Sequence, residues 1–351
     1  MSGAGCHNPP VQIIYDIMLV PREQLSALVE RVLTRHRVPA EHARIQAKLF
    51  IGAEMRGIPS HGLLRLRRVI ERLDAGLAVA GEAGQQDWTA PGFLSVDGCR
   101  GLGPVVALSA LDAVMPRARQ NGIAIAAMRN ANHLGALAFY ADYVARQGLT
   151  VICLTISEAL VHPFGGRKAM IGTNPIAIGV PAEPEPMVLD MATSLVSMGR
   201  VHDHANRGAP IPDGWALDSE GNPTTDAVAA KAGAIAPFGG PKGYAMGLAF
   251  EVLVASLAQS AIGTGVKGTL DSVHPSNKGD LFIVIAPPHA QAAKALVSDY
   301  LTEVRASPPM DQGRPVLIPG DRAHAAYDKS RMQGITLDDG LWEDLQKLDT
   351  E

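Results

Sequence analysis

Ser60, His61 and Arg65 read most directly as chemistry in this chain, within the stretch Met55-Arg-Gly-Ile-Pro-Ser-His-Gly-Leu-Leu-Arg-Leu66. An imidazole titrates near neutrality, and a guanidinium one turn later can grip both oxygens of a carboxylate. Together they suit an anionic substrate that must also exchange a proton. The spacing predicts how they are presented. A helix over residues 39–56, with Ile45, Leu49 and Ala53 on its apolar side, stops at Gly57. Pro59 cannot continue that helix, and Ser60 is a good N-cap for the next. Leu63, Leu66, Ile70 and Leu73 then recur at helical spacing, closed by Gly76, which puts His61, Arg65, Arg68 and Arg72 on the opposite face. On spacing alone, a solvated basic face behind a serine cap fits the same residues.

Phosphate-binding signals are mixed. Gly263-Thr-Gly-Val-Lys-Gly268 is a literal GxGxxG, but it follows a helical pattern and leads into a polar loop. The fingerprint works by joining a strand to a helix whose N-terminus faces the pyrophosphate, so it is rejected here. Gly101-Leu-Gly103 is better placed but lacks the third glycine, Val106 standing there. Two other stretches offer helix starts for an anion: Asn130–Leu137, with Asn132 as the cap of a helix running to about Arg146, and Phe238–Gly243, with Lys242 as a point charge. A capped helix and a glycine turn are the plain alternatives.

RGIPSHGLLRL resembles the signature of the malate/L-lactate dehydrogenase type 2 family of NAD(P)-dependent, non-Rossmann oxidoreductases. The resemblance recurs in order at RNANHLGALAFYAD (129–142), GTNPIAIGVPA (172–182), VLDMATS (188–194), GNPTTDA (221–227), FGGPKGYAMGL (238–248) and PGDR (319–322), covering the chain from about residue 22. HPFGG (162–166), GTGVKGT (263–269) and KGDLFIVI (278–285) look most like its sulfolactate/malate branch. The resemblance implies His61 as acid/base, Ser60 and Asp190 as its orienting partners, and Arg65 as the substrate-carboxylate anchor. It implies dinucleotide contacts at His133, Leu134, Gly135, Ala136 and Leu137, at Gly172, Thr173 and Asn174, at Lys242 and Gly243, and at Gly320, Asp321 and Arg322. His133 is also the rival acid/base. Cofactor contacts in this family are divided between subunits, so a homodimer with a shared NAD or NADP site is expected. Family members that reduce cyclic ketimines such as Δ1-piperideine-2-carboxylate supply one rival reading, and a non-catalytic dinucleotide-binding scaffold supplies another.

The remaining candidates come from the residues themselves. Thr155 and Ser157 follow a strand pattern and are placed to line the substrate pocket, although hydroxyls there also serve simply as turn-formers. His162, His202 and His204 sit in polar stretches without the carboxylate–His–Cys constellation of a metal site, so no metal is expected. Lys168, Arg200 and His162 are candidate second anchors for the substrate's distal group, and nothing in their spacing selects one.

The elements that must position these residues follow from the totals. At 351 residues the chain has room for two domains, and 47% hydrophobic with 19% charged residues is ordinary for a globular enzyme. A net charge of −4 gives no sign of a nucleic-acid or membrane surface. Three cysteines without CxxC spacing suggest a reducing compartment, hence the cytoplasm. Residues 1–10 read as disordered, and the apolar run 11–20, interrupted by Asp16, as a short strand or arm. Strand patterns occupy 93–97, 122–130, 150–157, 176–182, 187–192 and 281–287, with helices at 104–120 and 244–258. The expected fold class is α/β, a non-Rossmann nucleotide-binding sheet with a discontinuous helical domain. Residues 21–82 form the helical domain, with 226–270 and 305–351 packing against it. Residues 85–225 plus 278–300 form the cofactor-binding domain.

Overall fold

The computed structural model describes residues 17–350, so the expectations for residues 1–16 lie outside the described residues. The chain opens with β1 (Ile17–Val20), α1 (Arg22–Arg35) and α2 (Ala40–Met55). Next come α3 (Leu66–Asp74), β2 (Gln85–Ala90), β3 (Phe93–Asp97), α4 (Gly103–Asn121), β4 (Ile123–Arg129), α5 (Ala138–Arg146) and β5 (Thr150–Thr155). Beyond these lie β6 (Ile176–Val180), β7 (Met187–Met191), α6 (Met198–Asn206), β8 (Ala216–Leu217), β9 (Pro223–Thr224), α7 (Ala227–Ala230) and β10 (Ala234–Ile235). The last elements are α8 (Pro241–Ala258), β11 (Gly279–Ile285), α9 (Ala290–Ala306), α10 (Asp321–Gln333), β12 (Ile335–Asp338) and α11 (Asp339–Thr350).

Seven strands form the main sheet in the order β2-β3-β4-β11-β5-β6-β7, with β3 and β4 parallel and the other neighbours antiparallel. This differs from the parallel sheet of a dinucleotide-binding Rossmann fold. The late strand β11 inserts between β4 and β5, so two distant parts of the chain share one sheet. Alternation along these strands assigns their two faces. Ala124, Ala126, Met128, Val151, Phe282 and Val284 join one core with α4 and α5, while Ala127, Leu154 and Leu281 join another with Val254, Ala255 and Ala258 of α8. Alanine at three positions of β4 lets the helices on both sides come close to the sheet.

The first core runs on into the N-terminal helices, through Leu25, Val29, Leu49, Phe50 and Leu66. There β1 pairs with β12, α10 packs on α2 and α11 on α1, so the C-terminal residues lie against the first helices. Residues 226–270, grouped with those helices by the sequence pattern, instead lay α8 across β4, β5 and β11. The GxGxxG at 263–268 contains a single 3-10 turn, Gly263–Gly265, and opens no helix.

Two local expectations differ from what forms. The helix predicted from Ser60 begins at Leu66, after two 3-10 turns at Pro59–His61 and Leu63–Arg65, and Ser60 makes no cap hydrogen bond. The break has a tertiary cause. Buried Glu54 of α2 accepts the Leu63 N–H at 2.7 Å, and a Cβ on Gly62 would lie 2.2 Å from its Oε1. The helix predicted from Asn132 begins at Ala138, and residues 131–137 cross the protein without helical structure.

Candidate active site

The double turn at 59–65 brings His61 and Arg65 to the wall of a cavity beside Leu49 and Phe50 of α2, with Ser60 exposed next to them. Ser60 Oγ lies 3.0 Å from His61 Nδ1, which leaves Nε2 facing away. Arg65 donates through Nε to the Ser60 carbonyl at 2.8 Å, so its two terminal nitrogens remain available at the far end of the guanidinium. The crossing segment brings His133 against them, with the two imidazole rings 5.6 Å apart. That segment is held firmly. Tyr140 of α5, fully buried, donates its hydroxyl to the Leu134 carbonyl at 2.6 Å, and the Gly135 N–H donates to His133 Nδ1 at 3.0 Å. Gly103 lies so close below that a Cβ would meet the His133 carbonyl at 2.3 Å.

These residues enclose a cavity of about 30 Å3, walled on its apolar side by Leu49, Phe50 and Leu102. Its charged members are all cationic or titratable bases: His61, His133, Arg65, Arg68 and Arg72. Burial and the neighbouring Arg65 charge push His61 down to about 4. Burial, Arg65 and His61 hold His133 well below the usual histidine range. Both imidazoles are therefore neutral at pH 7, and an anion entering beside Arg65 reduces the field that keeps them so. Arg72, expected on a solvated face, is only 5% exposed and donates through Nε to Asn132 Oδ1 at 2.8 Å. Asn132 caps no helix; its amide nitrogen donates to the carbonyls of Arg100 and Gly101.

Asp190 lies elsewhere. Its Oδ2 accepts the Ala138 N–H at 2.7 Å, at the start of α5, and it makes no hydrogen bond to His61. Burial lifts this carboxyl to about 6 against the opposing pull of that N–H. The helix start that the sequence offers to a phosphate is thus already met by a carboxylate of the chain itself. Asp190 opens onto a cleft of about 750 Å3 that also touches Gly57, Ile58, Gly320 and Arg322. Asp321 is tied instead to Arg305, whose Nη2 and Nε donate to its two oxygens at 2.7 and 3.0 Å.

The other candidates form separate groups. Thr155 bonds to Asp280, which is ion-paired with Lys278, both of them buried beside the strand ends. Ser157 Oγ accepts the Thr173 N–H at 3.0 Å. Gly172 donates to Glu251 at 3.0 Å, and the fully buried Asn174 side chain is held by Glu251 and the Gly247 carbonyl, so this loop is tied up within the chain. Lys242 is exposed in the first turn of α8, which no side chain caps, and Gly243 is required because a Cβ would fall 1.8 Å from the Phe238 carbonyl. His204 bonds to the Pro210 carbonyl, and among the described residues no cluster of three or more His, Cys, Asp or Glu could hold a metal. No helix among them is long and apolar enough to cross a membrane.

Sequence reasoning missed Glu54 and the Lys278–Asp280 pair. The only signal for the pair was Lys and Asp two residues apart on one face of a strand that is otherwise apolar.

The chain is similar to known proteins along nearly its whole length. The malate/L-lactate dehydrogenase family profile matches residues 20–346. The L-sulfolactate dehydrogenase of Methanocaldococcus jannaschii is 35% identical, over 95% of this chain and 97% of that one. The Δ1-pyrroline-2-carboxylate/Δ1-piperideine-2-carboxylate reductase of Pseudomonas aeruginosa is 33% identical over 93% and 98%. A crystal structure of a dehydrogenase from Sinorhizobium meliloti superposes with a TM-score of 0.90 at 51% identity, covering 95% of this chain and 99% of that one.

Proposed function

The chain belongs to the malate/L-lactate dehydrogenase family, an oxidoreductase family that works with a nicotinamide cofactor, and from that premise we propose that it interconverts a small anionic 2-hydroxy acid of the malate or sulfolactate type and its 2-oxo acid, with His61 as the acid/base. The observation that carries this reading is the grouping of Ser60, His61 and Arg65: an imidazole fixed through Nδ1, with Nε2 free, beside a guanidinium whose outer nitrogens are free. Arg65 binds the carboxylate next to the reacting carbon. His61, neutral in the free protein, takes the hydroxyl proton during oxidation and returns it to the carbonyl oxygen during reduction. A nicotinamide bound beside them would accept or supply the hydride. The apolar wall of Leu49, Phe50 and Leu102 keeps water from the charge that develops on that oxygen.

The residues present fit a dinucleotide. The cleft beside Gly320 and Arg322 is of ligand-binding size, and the uncapped first turn of α8 carries Lys242 and Gly243 for a phosphate. Lys242 and Gly243 are not among the residues that line the Gly320–Arg322 cleft. This supports a cofactor, NAD or NADP, held between two copies in a homodimer. The exposed apolar face of α8, with Met246, Leu248, Val252 and Leu253, supports the same assembly. Cys99 and Cys153 are unpaired, which suits a cytoplasmic enzyme.

Steady-state assays of oxaloacetate, sulfopyruvate and Δ1-piperideine-2-carboxylate with NADH and NADPH, followed at the nicotinamide absorbance band, test the reading. Turnover of the 2-oxo acids is expected. Turnover of the cyclic imine alone replaces the reading with the ketimine reductase that the Pseudomonas relative suggests. Dinucleotide binding without turnover of any of the three replaces it with a scaffold.

A further inference from the structure

Five buried side-chain atoms among the described residues have no hydrogen-bond partner, and two of them, Arg72 Nη2 and Thr269 Oγ1, belong to residues on the wall of the His61 cavity. Buried polar groups are nearly always paired, so two orphans on one small cavity call for an explanation. Both residues are 5% exposed.

Arg72 is also a buried charge without an anion against it. Its hydrogen bonds all end on neutral oxygens: Asn132 Oδ1 at 2.8 Å, and the carbonyls of Asp271 at 2.6 Å and His274 at 3.2 Å. The acids nearby are engaged elsewhere. Asp271 accepts the N–H groups of Val273 and His274 and the His274 ring nitrogen, and Glu158 accepts the N–H groups of Thr269 and Leu270. A buried guanidinium left without a counter-ion is costly, and a ligand oxyanion would offset that cost. Arg72 lies seven residues beyond Arg65, close to two helical turns, and both line the same cavity. The same wall carries Arg68 and the apolar Phe50, Val69 and Leu102, the last three suited to a short carbon chain. At about 30 Å3 the enclosed space takes about two waters, or the outer oxygens of one acid group; it is the inner end of a site rather than a whole one.

We propose that Arg72 and Thr269 form the subsite for the distal oxyanion of the substrate, a carboxylate or a sulfonate, while Arg65 holds the carboxylate at the reacting carbon. The proposal rests on the reading of this cavity as the substrate site. It makes the enzyme selective for dianionic 2-oxo acids, and it replaces Lys168, Arg200 and His162 as distal anchors.

The test compares oxaloacetate and sulfopyruvate with 2-oxobutanoate, which carries a methyl group where oxaloacetate has its second carboxylate. Thr269→Val keeps the shape and removes the hydroxyl; Arg72→Lys keeps the charge and removes the fork. Thr269→Val should lower kcat/KM for the dianions about tenfold more than for 2-oxobutanoate, the scale of one hydrogen bond to a charged group. Arg72→Lys should widen that gap further. Oxaloacetate and sulfopyruvate, measured separately, tell which acid the subsite prefers. Because Arg72 also holds Asn132, Thr269→Val is the deciding variant if Arg72→Lys does not fold. A second arm needs no turnover: malonate, an inert dianion, should raise the Tm of the unaltered protein more than propionate does, and Thr269→Val should remove most of the difference. If Thr269→Val affects dianions and 2-oxobutanoate alike, or neither, and malonate protects both proteins equally, the orphan donors serve water or packing and the subsite is refuted. If no 2-oxo acid is turned over but the malonate effect is lost in Thr269→Val, the dianion subsite stands and the dehydrogenase reading falls.

Discussion

At the scale of the residue, His61 differs from a free histidine chiefly in its protonation. Burial and Arg65 push it down to about 4, so the base form needed for oxidation is present across the physiological range. We expect kcat/KM for 2-hydroxy-acid oxidation to hold steady as pH falls from 8 to about 5, and to fall as pH approaches the His61 value, where the imidazole gains a proton. A pH–rate profile of the free enzyme's kcat/KM checks this; a loss centred near 6.5 would mean an unperturbed base. The types and spacing of Ser60, His61 and Arg65 raised them as candidates, and the family resemblance, rather than the spacing, singled them out. The burial of Arg72 and the partners of Asn132 were not legible, because the residues that meet there lie between 31 and 202 positions apart in the chain.

At the scale of the element, the unit that aims the site is the double turn between α2 and α3. The stop at Gly57 and Pro59 and the apolar stripe of α3 were readable from sequence, because each is a local pattern. The second break, at Gly62, was not, because Glu54 of α2 produces it by taking the Leu63 N–H. Burial raises the Glu54 carboxyl to about 7. The folded state therefore keeps a proton that the unfolded chain loses above about pH 4.5. Stability linked to Glu54 is complete below that pH and declines as pH rises through about 7, by roughly 3 kcal/mol in all. Glu54→Gln keeps an oxygen for Leu63 and removes the titration, so its Tm should fall less than that of the unaltered protein between pH 5 and pH 8. Glu54→Ala strands the N–H and should cost about 1–3 kcal/mol throughout. Thermal melts at the two pH values separate these cases. The start of α5 teaches the same lesson: the chain's own Asp190, from a distant strand, meets the N–H that a helix-start argument reserves for phosphate.

At the scale of the whole molecule, the family, the α/β class and the positions of the main strands along the chain were within reach of the sequence because the motifs run almost the full length of the chain. The insertion of β11 between β4 and β5 and the seating of α8 on the sheet were not, since nothing local in a strand names its neighbours. The proposed homodimer makes a direct prediction here. Val252→Glu and Leu253→Arg on the open face of α8 should shift sedimentation toward the monomer and weaken cofactor binding with it; a monomeric variant that binds cofactor normally would dissociate the two claims. The glycines give a further contrast. A Cβ on Gly265 meets nothing within 4 Å, so Gly265→Ala in the GxGxxG stretch should leave cofactor affinity intact, whereas Gly243→Ala drives a methyl into the Phe238 carbonyl and should disrupt the start of α8. Titration of reduced cofactor by its fluorescence compares the two.

The acid/base role of His61 is tested most directly by kcat for the preferred 2-oxo acid in His61→Ala and His133→Ala, alongside reduced-cofactor affinity in both. The expected result is a fall in kcat of about 10²–10⁴ for His61→Ala with cofactor affinity nearly unchanged, the span for a lost acid/base. A His61→Ala enzyme turning over near the unaltered rate, with His133→Ala inactive, would contradict it and move the proton to His133.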